Sequence, residues 1–167
     1  MNNDIRKYVL VTGAYWGFTL TDGALRMLVL LHFHSLGYSP FEIALLFLFY
    51  EFFGIVTNLI GGWIAARVGL KATLFAGLAL QMIALSALSL FDLAWPAVMG
   101  VAYVMALQAL SGIAKDLTKL SSKSVVKLIV PKDEYGLLFK WVAVLTGSKN
   151  TLKGIGFFMG GALGALG

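Results

Sequence analysis

Four apolar runs, from about Tyr8 to His32, Phe41 to Ala65, Ala72 to Phe91 and Trp95 to Ala114, are each long enough to cross a bilayer as helix. Such a crossing takes about 20 residues at about 1.5 Å rise apiece. A fifth span ends near Ala165 and starts somewhere between Gly136 and Leu152. Inside hydrocarbon no water can satisfy backbone N–H and C=O groups, so a succession of these runs predicts an all-α membrane bundle of about five transmembrane helices. The composition agrees: 59% of the residues are apolar and 13% charged, and the mean hydropathy is +0.86, far from the balance of a soluble domain. The run from Tyr8 is much longer than the about 7 to 15 apolar residues of a signal-peptide core and lacks a small-residue cleavage site, so the first span reads as retained. With no cysteine there is no disulfide, thiolate metal site or cysteine nucleophile.

The joints carry turn chemistry: "HSLGYSP" after the first span, "ARVGLK" after the second and "FDLAWP" after the third. Their shortness predicts antiparallel neighbours. Arg6 and Lys7 precede the first span, Arg67 and Lys71 separate the second from the third, and eight lysines follow between Lys115 and Lys153, whereas the joints near Ser39 and Leu93 have neither Lys nor Arg. The positive-inside rule then predicts a multi-pass plasma (inner) membrane protein with a cytoplasmic N-terminus. The formal charge of +5 is accounted for by topology and does not call for nucleic acid.

Within the first span Asp22 and Arg26 stand four residues apart, and each costs about 2.5 to 3.5 kcal/mol at a helix centre. Counted at 100° per residue, Thr12, Tyr15, Thr19, Asp22 and Arg26 share an arc of about 80°, so the stripe must face other helices or a watery path. Glu51, Gly54, Asn58 and Gly62 lie on one side of the second span, with the small residues suited to close helix approach. Gln108, Ser111 and Lys115 form a stripe on the fourth. Thr146, Lys149, Lys153, Gly156 and Gly160 form another on the fifth. Helices that each present one polar stripe predict a bundle around a hydrophilic path.

Each feature also has a plainer reading. Asp22 and Arg26 can neutralise each other as an i,i+4 pair, and Glu51 can serve a helix contact as a protonated donor. If the fifth span starts near Leu152, Lys149 and Lys153 are interfacial flanks that snorkel. If it starts near Gly136, after Pro131, they sit within the helix and need an anion; the apolar "LLFKWVAVLTG" favours the early start. Lys115, Lys119, Lys123 and Lys127 recur every four residues, a basic stripe read as meeting headgroups or water. His32 and His34, two apart with no third ligand, are read as interfacial and not as a metal site. No set of nucleophile, base and orienting group is visible, so neither an enzyme nor a cofactor is indicated.

The stretch "GGWIAARVGLK", Gly61 to Lys71, resembles the loop between the second and third helices of the major facilitator superfamily, whose pattern is glycine-rich, then Asp-Arg, one residue, Gly and two basic residues. Arg67, Gly69 and Lys71 match; Ala66 stands where the family carries Asp, and Leu70 where it carries a basic residue. More specifically, "YVLVTGAYWGFTLTDGALRMLVLLHFHSLGYSP" with "SGIAKDLTKLSSKSVVKLIVP" resembles organoarsenical efflux permeases of the ArsJ type along the whole chain. The resemblance implies a proton-linked antiporter that exports 1-arseno-3-phosphoglycerate, formed when glyceraldehyde-3-phosphate dehydrogenase uses arsenate in place of phosphate, and so confers arsenate resistance. It also implies that Gly62, Arg67, Gly69 and Lys71 belong to a gating loop.

The residues support an anionic substrate on their own account. In the expected spans Arg26, Lys149 and Lys153 outnumber the carboxylates Asp22 and Glu51. Arg26, Lys149, Lys153 and Asn58 are the expected substrate-binding residues, and Asp22 and Glu51 the expected proton-coupling ones. The family's two six-helix halves enclose substrate between them, so residues 1–167 are expected to be the N-terminal part of such a transporter and not to transport alone. The alternatives are a permease of the same fold for another organic anion or drug, and a non-transporting membrane fragment.

Overall fold

The computed structural model describes residues 3–92, 94–130 and 134–166. Every regular element among them is a helix: α1 Asn3–Ser35, α2 Pro40–Leu46, α3 Leu48–Val68, α4 Leu70–Leu88, α5 Ala97–Ile129 and α6 Tyr135–Leu166. Leu93 and Pro131 lie outside the described residues. Three segments are long and apolar enough to cross a membrane: Pro40–Val68, which joins α2 and α3, then α4 and α5. At 33 and 32 residues α1 and α6 have the length, but their polar stripes hold them below the same apolarity.

The helix ends follow from local chemistry. Gly37 takes a positive φ of 86° after α1. Ser39 then caps α2 through a reciprocal box with Glu42, and Pro40 occupies the first turn, where its missing N–H costs nothing. At Phe47 the N–H turns back to the Ala44 carbonyl at 3.2 Å, and this one irregular residue separates α2 from α3, where one continuous span is expected. Gly69 alone parts α3 from α4, at φ 91°, a conformation in which a side chain would be strained. Before α5, the Asp92 carboxylate accepts the Ala94 N–H at 2.9 Å, and Pro96 begins the helix.

One boundary differs from the sequence expectation in a way that matters, and another agrees with the early start that the apolar stretch favours. The sequence predicts that the fourth span ends at Ala114, yet α5 runs on to Ile129, because one face of the extension, with Asp116, Leu117, Ser121, Ser122 and Val126, is buried against the other helices. The basic stripe is therefore not a separate surface helix. The last helix starts at Tyr135, so Lys149 and Lys153 stand at mid-helix and not in a preceding loop.

The bundle is built around α5 and α1. The most extensive packing joins α1 to α6, α3 to α5 and α4 to α5, while α1 and α5 link the two sets. Glycine makes the crossings close. A Cβ at Gly112 would collide with the Tyr50 carbonyl, one at Gly77 with Thr118, and ones at Gly156 and Gly160 with the α1 carbonyls of Leu20 and Ala24. This is the close backbone approach that small residues permit between membrane helices. One apolar core, of Leu25, Val29, Phe33, Ile43, Leu46 and Val104, fills one end; Tyr15, Val126 and Leu145 fill the other. Leu59, Phe75, Val98 and Phe158 are exposed on the outside of the bundle, as side chains facing lipid would be.

Candidate functional site

The polar stripe of α1 turns inward as its spacing requires: Thr12, Tyr15, Thr19 and Asp22 are buried. Asp22 and Arg26, however, do not pair with each other. Asp22, 4% exposed, accepts a 2.7 Å hydrogen bond from the Tyr50 hydroxyl. Arg26 instead donates from Nη2 to Glu51 Oε1 at 2.9 Å, and its guanidinium lies 4.3 Å from the Tyr50 ring centroid and 5.2 Å from that of Phe47. Among the described residues no Asp22–Arg26 ion pair forms, so the simple i,i+4 neutralisation is not the arrangement adopted.

Glu51 bridges two helices. Its Oε2 accepts from Lys115 Nζ at 3.3 Å, and Lys115 also sits 4.2 Å from the Tyr50 ring centroid. Lys115 lies 3.8 Å from Asp116 Oδ2, and Lys119 donates to Asp116 Oδ1 at 3.2 Å. The Glu51 side chain is 54% exposed, against 19% for Arg26, 23% for Lys115 and 5% for Asp116. An ion pair with so open a partner contributes only about 0.2 to 1 kcal/mol. The Tyr50 face, which attracts both cations by about 0.5 to 2 kcal/mol each, holds them where they are.

Lys149 and Lys153 complete the cluster from α6. Both are half-buried, and among the described residues neither has a carboxylate within ion-pair distance. Lys153 lies within electrostatic range of Arg26, Asp22, Lys149 and Lys115, and Lys149 within range of Lys115, Lys119 and Lys123. Five cations, Arg26, Lys115, Lys119, Lys149 and Lys153, thus converge with three carboxylates, near the middles of α1, of the α2–α3 pair, of α5 and of α6. A positive excess on helices of this kind is costly unless an anion balances it. Comparison with protein-family models, curated proteins and solved structures finds no match. The residues themselves carry the functional reading.

The remaining expected site residues lie apart. Asn58 and Gly62 are exposed on α3, and a Cβ at Gly62 would meet nothing. The close-approach face is instead Gly54 and Gly61, with Thr57 and Ala65, one step round the helix from Glu51 and Asn58. Arg67 stacks its guanidinium 4.5 Å from the Trp63 ring centroid, Gly69 makes the turn, and Lys71 is exposed on the first turn of α4. At 1.5 Å per residue, Arg67 is about 24 Å along α3 from Glu51, so this turn and the charged cluster occupy different depths. His32 packs edge-on against Phe33 and Phe91, while His34 is exposed.

Four residues of the cluster were not among the expected site residues. Tyr50 is fully buried and touches Asp22, Arg26 and Lys115; a phenol inside an apolar run was the available signal, because a buried O–H needs an acceptor. Asp116 and Lys119 fall just beyond the expected end of the fourth span. Lys115 belongs by spacing both to the inner stripe with Gln108 and Ser111 and to the basic stripe expected to meet headgroups or water; it reaches Glu51 and Asp116, and Lys119, expected only in the basic stripe, pairs with Asp116. On α5, Ser111 donates to Gln81 of α4 at 2.7 Å, so this part of the expected stripe joins helices and does not line the cluster.

Proposed function

We propose that this chain is part of a major facilitator superfamily permease, similar to the ArsJ-type organoarsenical exporters, that exports 1-arseno-3-phosphoglycerate in exchange for protons. In this reading α1 and α6 cross the plasma membrane beside the three strongly apolar segments, with the N-terminus in the cytoplasm. The observation that carries it is the cluster of five cations at mid-helix, two of which have no carboxylate partner among the described residues. A substrate with phosphate and arsenate groups supplies the missing negative charge, and its oxygens accept from Arg26 as a fork and from the lysines as point charges. The turn at Gly69, with Arg67 and Lys71, then belongs to the cytoplasmic side.

The test is arsenate tolerance in an efflux-deficient host that coexpresses glyceraldehyde-3-phosphate dehydrogenase with the full-length permease. Alanine at both Lys149 and Lys153 is expected to restore arsenate sensitivity at unchanged membrane abundance. Undiminished tolerance would remove α6 from the substrate path and leave the two lysines as interfacial anchors. Orientation is tested separately by labelling intact cells with an impermeant thiol reagent. Ser39→Cys is expected to label, and Val68→Cys and Lys127→Cys are not; labelling of Val68→Cys from outside would invert the topology. Ser122, fully buried in α5, is unsuitable as a reporter.

A further inference from the structure

Three carboxylates serve the cluster, and they are held differently. Asp22 is buried beneath the Tyr50 hydroxyl, and Asp116 is buried with Lys119 and Lys115 on its two oxygens. Glu51 is half-exposed and has one oxygen on each of two cations that come from different helices, Arg26 of α1 and Lys115 of α5. Chemically it is a two-oxygen anion seated on a two-cation site.

We propose that Glu51 is a built-in stand-in for the ligand: its carboxylate occupies the Arg26–Lys115 site in the empty protein and gives way when a phosphate- or arsenate-type oxyanion binds there. The inference rests on the anion-binding reading above and adds the event that accompanies binding. Both cations keep their places when Glu51 leaves. Arg26 remains stacked beside Tyr50 and Phe47, and Lys115 remains beside Tyr50 and within 3.8 Å of Asp116. Glu51 can swing by side-chain rotation, since its side chain is 54% exposed. A tetrahedral oxyanion presents a pair of oxygens to the same two donors and leaves further oxygens free for Lys149 or Lys153. The exchange leaves each of Arg26 and Lys115 with an anionic oxygen before and after binding.

Glu51 is therefore a competitor of the ligand, and a neutral replacement should strengthen binding. The purified 167-residue chain in lipid nanodiscs is titrated with radiolabelled inorganic phosphate, and with arsenate as competitor, at fixed ionic strength. Glu51→Gln is expected to bind phosphate about tenfold more tightly than the unsubstituted chain, and Arg26→Ala and Lys115→Ala more weakly. Glu51→Asp, one methylene shorter, frees one cation and is expected to fall between; it decides the matter if Glu51→Gln loses helical circular dichroism. Unchanged or weaker binding by a folded Glu51 variant, while Arg26→Ala still weakens it, overturns the stand-in role and leaves the anion site intact. Phosphate affinity indifferent to Arg26→Ala, Lys115→Ala and the Glu51 variants alike overturns both.

Discussion

On the proposed function, alanine at Arg26 is expected to abolish arsenate tolerance in cells expressing the proposed permease at normal membrane abundance. The guanidinium is the one planar donor fork among the five cations, and among the described residues its ionic partner is Glu51 alone. Charge-assisted hydrogen bonds contribute about 1.5 to 3 kcal/mol each, so even Arg26→Lys, which keeps the charge and loses the fork, is expected to weaken transport about ten- to hundredfold. Lys127→Ala, at the exposed last turn of α5, serves as the control and is expected to leave tolerance unchanged. Full tolerance conferred by Arg26→Ala would sink the anion site and leave Arg26 as a structural partner of Glu51.

Asparagine at Asp22 is expected to abolish the dependence of export on a pH gradient while leaving insertion intact. The geometry separates Asp22 from its two fellow carboxylates. Asp116 is locked to lysines, and Glu51 is engaged by Arg26 and Lys115, but among the described residues Asp22 holds only the neutral Tyr50 phenol. It can gain or lose a proton without breaking a direct ion pair, and the Tyr50 hydroxyl can reorient to suit either state. Export in proteoliposomes, measured with and without an imposed pH gradient, reads the effect. Proton-driven export that persists in Asp22→Asn would transfer the coupling role to Glu51.

How far the fold was legible follows from the nature of each signal. Hydropathy is a sum over neighbours in the chain, so the apolar runs and the turns at Gly37 and Gly69 could be read without a structure. The stripe on α1 was legible for the same reason: helical spacing alone puts Thr12, Tyr15, Thr19 and Asp22 on one face, and that face must be inside. The start of α6 at Tyr135 also follows from an apolar stretch too long for a loop. The end of α5 could not be read, because a lysine-rich segment is helix or loop according to whether its other face is buried, and here Leu117, Ser121, Ser122 and Val126 are.

Partner choice is where tertiary structure decided the outcome. The sequence placed Asp22 and Arg26 at a spacing that permits an ion pair. The packing of α3 against α5, as close as Gly112 against the Tyr50 backbone, instead brings Tyr50 and Glu51 between them, and the phenol takes Asp22 while the carboxylate takes Arg26. The same packing brings Lys115 onto Glu51, and so decides between the two readings that its spacing allowed, the inner stripe and the basic stripe toward headgroups. On α3 the glycines that touch α5 are Gly54 and Gly61, and Asn58 and Gly62 are left exposed, a rotation that spacing on a single helix cannot settle. By itself the sequence determined that polar stripes on apolar helices must be covered, because uncompensated charge in hydrocarbon is too costly. Which charge covers which depends on distances of a few ångströms between helices remote in the chain, and only their packing sets those.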